Sequence, residues 1–199
     1  TISREVLAAG TNVQYAEGQV TSRAALTPEM KLTVKAVKKA VRFLKKQNAK
    51  KINGYYYGIV HPDCSYDLTE DARWIDAVKY KNPERIYNGE IGEIEGARFV
   101  ETTEAKIWAK AGAAKSTSDT TKIDVYGTLI FGANAYATTK IEGGGLKTII
   151  KQLGSAGTGD PLDQRATVGW KALKVTEILT EAYMIRIETA STFSDGEAN

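Results

Sequence analysis

The stretch from Thr27 to Lys51 constrains the fold most, because its residues repeat with the period of an amphipathic helix. Apolar side chains recur at i, i+4, i+7, i+11 and i+14, which is the spacing of one helical face. These side chains are Met30, Val34, Val37, Val41 and Leu44. Thr27 and Pro28 are residues typical of an N-cap and of a first helical position. The pattern predicts one long helix over 27–51.

A basic stripe follows the same spacing one residue later, about 100° around the helix axis. Its members are Lys31, Lys35, Lys38, Arg42 and Lys45. Residues 29–51 carry nine Lys or Arg and one Glu, so they hold a net charge of +8 while the rest of the chain holds −5. This asymmetry indicates charge complementarity, within the chain or between copies. The stripe leaves three roles open: a solvated face, contact with an acidic neighbouring subunit, or non-specific contact with nucleic acid.

The composition is that of a folded protein with its own core. The chain has 199 residues, 42% of them hydrophobic, which suffices for one core that could be shared between two lobes. The only cysteine is Cys64, so an intrachain disulfide is impossible. No apolar run approaches the roughly 20 residues of a membrane helix. The chain opens on Thr1 without a methionine, from which we expect a processed or excised piece of a longer protein.

Short strands dominate the rest of the chain and predict an α+β fold. Helices are expected over 1–9 and 63–79, with an extended connection over 10–26 and an exposed loop over 109–121. A hairpin-like unit is expected over 87–102 because its glycines mark turns. The predicted strands cover residues 55–60, 122–131, 146–153, 168–175 and 182–189.

For each candidate chemical site in the sequence, a structural role explains the residues better than a chemical role does. His61 and Cys64 could form a nucleophilic pair, but each is the sole residue of its type. Four acidic residues near them do not have the spacing of a calcium loop; they are Asp63, Asp67, Glu70 and Asp71. The glycine-rich stretches 143–147 and 154–165 lack the Gly-Lys-Ser/Thr of a phosphate loop. We therefore predict no catalytic residue, no metal site and no cofactor.

The aromatic residues have a possible role in stacking on nucleic acid. Tyr55, Tyr56 and Tyr57 follow the basic stretch, and basic residues next to aromatics are found in proteins that bind single strands. The three tryptophans, Trp74, Trp108 and Trp170, could serve the same purpose. Tyrosines that alternate in a strand and isolated tryptophans more often pack in a core, and we predict that role for them.

Several long runs of the chain carry a family resemblance. They are YYYGIVHPDCSYDL from Tyr55, WIDAVKYKNPERIYNGEIGEIEGARFVET from Trp74 and IEGGGLKTIIKQLGSAGTGDPLDQRATVGWKA from Ile141. The opening TISREVLAAGTNVQYAEG and the closing AYMIRIE belong to the same pattern. Together these runs closely resemble the major capsid proteins of tailed phages, in particular the family whose type member is the capsid protein of coliphage N-four.

The resemblance implies an HK-ninety-seven-like capsid fold with a long spine helix, a peripheral domain and an axial domain. On this basis we expect a peripheral domain over 1–54 with the spine helix at 27–51, an axial domain over 55–165, and a return to the peripheral domain with a polar tail over 166–199. We expect the N-terminal arm and the extended loop of the family to be missing from this chain.

The resemblance also implies a structural virion protein rather than an enzyme. Such a subunit assembles with copies of itself into hexamers and pentamers of an icosahedral shell around phage DNA, in the bacterial cytoplasm and without a membrane partner. A fragment of it could be monomeric. The alternative is a non-specific nucleic-acid-binding module that uses the basic helix 27–51. From charge balance we expect basic surfaces to meet the acidic segment 67–76 and three glutamates, Glu90, Glu93 and Glu95.

Overall fold

The fold is described by a computed structural model that covers residues 2–75, 91–139, 144–155, 159, 162 and 164–193. The end of the predicted helix over 63–79, the expected acidic partner Glu90 and half of the glycine-rich loop over 154–165 lie outside these residues. Within the described ranges, no helix is long and apolar enough to cross a membrane.

The described residues form helices and short strands around a central mixed sheet. The helices are α1 (Ile2–Ala8), α2 (Val34–Lys46) and α3 (Pro62–Glu70). The strands are β1 (Val13–Tyr15), β2 (Tyr56–Val60), β3 (Glu93–Ile94), β4 (Ala97–Glu101), β5 (Ile107–Trp108), β6 (Val125–Phe131), β7 (Tyr136–Thr138), β8 (Lys147–Lys151), β9 (Thr167–Lys171), β10 (Thr176–Ile178) and β11 (Met184–Thr189). The central sheet has the strand order β1-β11-β6-β2-β4-β3, with β5 paired to β6. Two strand pairs, β7 with β10 and β8 with β9, lie outside it. The predicted α+β class is confirmed.

Helix α2 is shorter at both ends than the predicted helix over 27–51, because it begins at Val34 and ends at Lys46. At the C-terminal end, Gln47 is the C-cap and Asn48 has a positive φ of 56°, which stops the helix. Thr33 is the N-cap, and its hydroxyl accepts a hydrogen bond from the amide of Ala36. The carboxylate of Asp71 accepts from the Val34 amide at 2.9 Å, so a second cap fixes the same start. Met30 is drawn away from the helix because its carbonyl accepts from the amide of Ala190, next to β11. These tertiary bonds override the apolar period upstream of Thr33.

The apolar stripe of α2 packs on one face of the sheet. Val37, Ala40 and Leu44 are fully buried there, against a cluster that includes Ile130 of β6 and Ile187 of β11. At roughly 1.5–3 kcal/mol for each large aliphatic side chain, this layer contributes much of the driving force for folding.

The second face of the sheet is covered as well, which the sequence pattern did not predict. Leu129 and Phe131 of β6 alternate with Tyr126 and Ile130 and pack with Leu7 of α1 in a separate cluster. Every residue of β6 is buried, because the strand lies between two layers. The alternating residues of β6 therefore face two buried layers, and neither side of the strand faces solvent.

The remaining elements follow the sequence in outline. The predicted hairpin forms from β3 and β4, whose two-residue turn has positive φ at Glu95 (53°) and Gly96 (81°), as a type I′ turn requires. The predicted strand over 168–175 is wrong in extent, because β9 ends at Lys171 and β10 pairs separately with β7. Strands β1 and β7 fall in segments without a predicted strand.

The central sheet draws strands from all three segments of the predicted domain division. β1 comes from residues 1–54, β2 to β6 come from residues 55–165, and β11 comes from residues 166–199. β11 pairs in parallel with β1 and antiparallel with β6, so it joins the two ends of the chain to its middle.

A buried carboxylate, Glu188 of β11, ties this arrangement together. Its side chain is fully buried and accepts two hydrogen bonds from Arg23, at 2.6 and 2.7 Å, and one from Arg186, at 2.9 Å. Arg186 also donates to the carbonyl of Gly10, at the end of α1, at 2.8 Å. The guanidinium of Arg23 lies 3.8 Å from the ring centroid of Trp108 in β5. The bidentate ion pair with Arg23 and the bond from Arg186 satisfy the buried charge. This network therefore holds three segments to β11, namely those of Arg23, Gly10 and Trp108.

Replacing Glu188 by Gln leaves two guanidinium groups without a counter-charge, so we expect Glu188→Gln to lower the free energy of unfolding by about 3 kcal/mol. Urea denaturation followed by circular dichroism measures this. The matched control is Glu177→Gln in the exposed middle of β10, which should change stability by less than about 0.5 kcal/mol. Equal stabilities of the two variants would contradict the role assigned to Glu188.

Candidate functional site

The predicted basic stripe is only partly a helical face in the structure. Lys35, Lys38, Arg42 and Lys45 lie on α2 and are exposed, whereas Lys31 lies in the segment before the helix. The cationic end of α2 also carries Lys46, which suits the negative end of the helix dipole. The stripe is therefore continuous over the length of α2 alone.

Three members of the stripe have carboxylate partners within the same chain. Lys35 lies 2.5 Å from Glu17, Lys38 lies 3.3 Å from Glu95 of the β3–β4 turn, and Lys31 lies 4.0 Å from Asp67 of α3. Two of these acids belong to the set expected from charge balance. The contacts show that part of the basic stripe is neutralised by the chain itself.

Glu17 is the most tightly held of these partners. The hydrogen bond from Lys35 is the main cause that lowers the pKa of its carboxyl below the ordinary value of 4.5, and the Thr33 hydroxyl adds a donor at 2.9 Å. Lys39 donates to the backbone carbonyl of the same residue at 2.5 Å. The loop that contains Glu17 is thus bound to the first turns of α2.

The chemistry around His61 and Cys64 is structural. His61 is the N-cap of α3, and its Nδ1 accepts from the amide of Asp63 at 3.3 Å. The thiol of Cys64 is fully buried, burial raises its pKa, and its neighbour in hydrogen-bonding range is the Thr189 hydroxyl at 3.8 Å. A thiol in such surroundings is protonated and unreactive.

The acidic residues of α3 and its flank also have structural partners. Asp67 accepts from the hydroxyl of Ser191 at 2.8 Å and from the amide of Thr192 at 3.0 Å, which fixes the end of β11 to α3. Asp71 caps α2, as described above. Among the described residues, no group of three or more His, Cys, Asp or Glu is placed to hold a metal ion.

The three tryptophans have different environments, and the sequence prediction is right for two of them. Trp74 is buried and makes an edge contact with Phe99, and Trp108 lies beneath Arg23. Trp170 of β9 is 75% exposed, so the prediction that it packs in a core is wrong. Of the three tyrosines at the start of β2, Tyr56 is buried and forms part of the main cluster.

Trp170 belongs to the most unusual surface of the molecule, the two-stranded ribbon of β8 and β9. All residues of both strands are exposed. The antiparallel register pairs Thr148 with Trp170 and Ile150 with Val168, and cross-strand partners lie on the same side of a ribbon. We call these four residues the apolar face. Ile150, Val168 and Trp170 are 65%, 76% and 75% exposed.

The other side of the ribbon, which we call the lysine face, is basic. Lys147 pairs with Lys171, and Lys151 pairs with Thr167, while Ile149 and Gly169 lie between them. Sequence reasoning predicted strands at both positions but assigned no role to either face. The signal was present in the alternation of Val168 and Trp170 with Gly169 and Lys171.

Comparison with solved structures identifies the architecture as that of phage capsid proteins. The capsid of Ralstonia phage GP4 is similar with a TM-score of 0.64 at 15% identity, over 94% of this chain and 54% of that chain. The cyanophage Pam1 capsid asymmetric unit has a TM-score of 0.63 at 10% identity, over 90% and 54%. The capsid of Helicobacter pylori bacteriophage KHP30 has a TM-score of 0.59 at 12% identity, over 94% and 64%.

The family is shown by sequence. The family model described as phage capsid protein matches residues 2–153, so the chain belongs to the phage capsid protein family. No curated protein matches it. The chain spans 54–64% of the length of the solved capsid proteins named above.

The ion pair of Lys35 with Glu17 makes a prediction about pH. A carboxyl with a lowered pKa stabilises the fold above its unfolded pKa, and this stabilisation is lost as the pH falls through the folded value. We expect Lys35→Gln to cost about 0.5 kcal/mol at neutral pH, because Lys35 is more than half exposed and solvent screens the pair. The difference from the unmodified chain should shrink below pH 4.5.

Urea denaturation at neutral and acidic pH measures this difference. The control is Lys45→Gln, since Lys45 is exposed on the same helix and makes no ion pair with any described residue. Its cost should not depend on pH in this range. A pH-independent cost for Lys35→Gln would contradict the assignment of Glu17 as its partner.

Proposed function

We propose that the chain is part of a tailed-phage major capsid subunit of the HK-ninety-seven-like type, related to that of coliphage N-four. Copies assemble into the hexamers and pentamers of an icosahedral shell that encloses phage DNA, within the host cytoplasm. The family match and the likeness to solved capsids support this proposal. The division into peripheral (1–54), axial (55–165) and returning peripheral (166–199) parts belongs to the same proposal, with α2 as the core of the spine helix.

The apolar face of the ribbon is the observation that carries the assembly function. A two-stranded ribbon is marginally stable by itself, and it needs a packing partner on its apolar side. Exposed apolar residues that form a contiguous patch mark interaction sites in soluble proteins. Trp170 is also the residue type most enriched among those that dominate interface energies. In a capsid protein, the partner that fits is a second copy of the chain.

The geometry of closed rings favours a head-to-tail contact. Five- and sixfold rings require the ribbon of one copy to meet a different surface of the next, so that the same contact repeats until the ring closes. The exposed residues of α2, Arg42 and Lys45 among them, remain a second candidate contact for a neighbouring subunit or DNA. Ion pairs within the chain already engage Lys31, Lys35 and Lys38, which weakens the case for that face.

Replacing Trp170 by Ser removes the largest side chain of the apolar face, so we expect Trp170→Ser to weaken self-association by about 10- to 100-fold. Stability should change little, because the side chain is exposed in the isolated chain. Sedimentation velocity over a series of protein concentrations measures the association.

The control is Val100→Thr, which alters an apolar residue of the central sheet that is 49% exposed and lies outside the ribbon. It should associate like the unmodified chain. If both variants associate equally well, the ribbon is not the interface and the proposal fails.

A further inference from the structure

We infer that the lysine face of the ribbon binds the phosphate backbone of nucleic acid, through Lys147, Lys151 and Lys171. This places the DNA contact on a surface other than the basic helix. It goes beyond assembly, and it rests on the proposed function in one respect only: when a second copy covers the apolar face, the lysine face is the side of the ribbon that stays in water.

The three lysines lie together on one side of the strands. Lys147 and Lys171 are direct cross-strand partners, and Lys151 lies four residues further along β8, about 13 Å away at 3.3 Å per residue. Every one of these residues is exposed. Like charges directly opposite each other destabilise a strand pair. A bound anion removes this repulsion, so the arrangement favours a polyanionic partner.

The ribbon lysines differ in their pairing from three lysines of the basic stripe. Lys31, Lys35 and Lys38 each have a carboxylate of the same chain within 4.0 Å. Among the described residues, no carboxylate forms an ion pair with the three ribbon lysines. The described part of the chain therefore leaves their charge unneutralised, whereas Lys31, Lys35 and Lys38 must first be released from internal partners.

Lysine chemistry favours nucleic acid over an acidic protein surface. Lys is depleted in protein interfaces, where its strongly hydrated ammonium group is costly to bury and Arg is preferred. Phosphate contacts need no such burial, since they gain free energy from the release of counterions and tolerate a hydrated, mobile cation. Three exposed lysines on one face, without an arginine in either strand, match this non-specific mode of binding.

The test uses the 199-residue chain and a short duplex DNA of random sequence, with binding followed by fluorescence anisotropy over a range of salt concentrations. One variant carries Lys147→Gln, Lys151→Gln and Lys171→Gln. The matched control carries Arg42→Gln, Lys45→Gln and Lys46→Gln, which removes the same number of charges from α2. Each phosphate contact contributes about 0.9 to the slope of log affinity against log salt. We expect the ribbon variant to lose about 2–3 units of slope and the control to keep the full slope.

Three results would overturn the inference. They are no binding by the unmodified chain at low salt, an equal loss of slope in both variants, or an unchanged slope in the ribbon variant with weakened self-association. The last result would assign the lysines to an acidic surface of a second copy. The Trp170→Ser variant separates this inference from the proposed assembly function. It should bind DNA with the full salt slope even though it associates poorly.

Discussion

The buried Glu188 carboxylate is the interaction on which the central body depends. A charge with no exposure must be matched inside the protein, and here Arg23 and Arg186 match it. Arg23 comes from the loop before α2, and Arg186 reaches back to the carbonyl of Gly10 at the end of α1. The stability of β11 between β1 and β6 therefore depends on the N-terminal segment that contains Gly10 and Arg23. The body of the molecule is fixed by this network and by the two apolar layers around the sheet.

The ribbon of β8 and β9 differs from the central sheet in where its apolar side chains lie. The strands of the central sheet bury their apolar side chains, while β8 and β9 leave theirs in solvent. Because Trp170, Val168 and Ile150 are exposed, they contribute little to the folding free energy of the isolated chain. Burial of these side chains stabilises the protein only on contact with another molecule, which we propose to be a second copy of the chain. Opposite them, the lysine face keeps the ribbon soluble and provides a separate electrostatic surface.

Local sequence patterns predicted elements whose causes are local. The period of α2, the alternation of β11 and the turn at Glu95-Gly96 each depend on neighbours along the chain, and each is present in the structure. The start of α2 was misplaced because Asp71 and the Ala190 amide act on it from distant segments. The parallel pairing of β1 with β11 and the exposure of Trp170 were missed for the same reason: burial and long-range pairing are properties of the whole fold.

The central claim is that the ribbon is where copies of the chain meet, and hydrogen–deuterium exchange tests it most directly. Amide exchange is measured at a protein concentration below the onset of association and at one well above it. The account predicts that the amides of β8 and β9 become at least about tenfold slower to exchange on association, while the buried amides of β6 keep their rates. Unchanged exchange in β8 and β9, together with new protection confined to another surface such as α2, would contradict it.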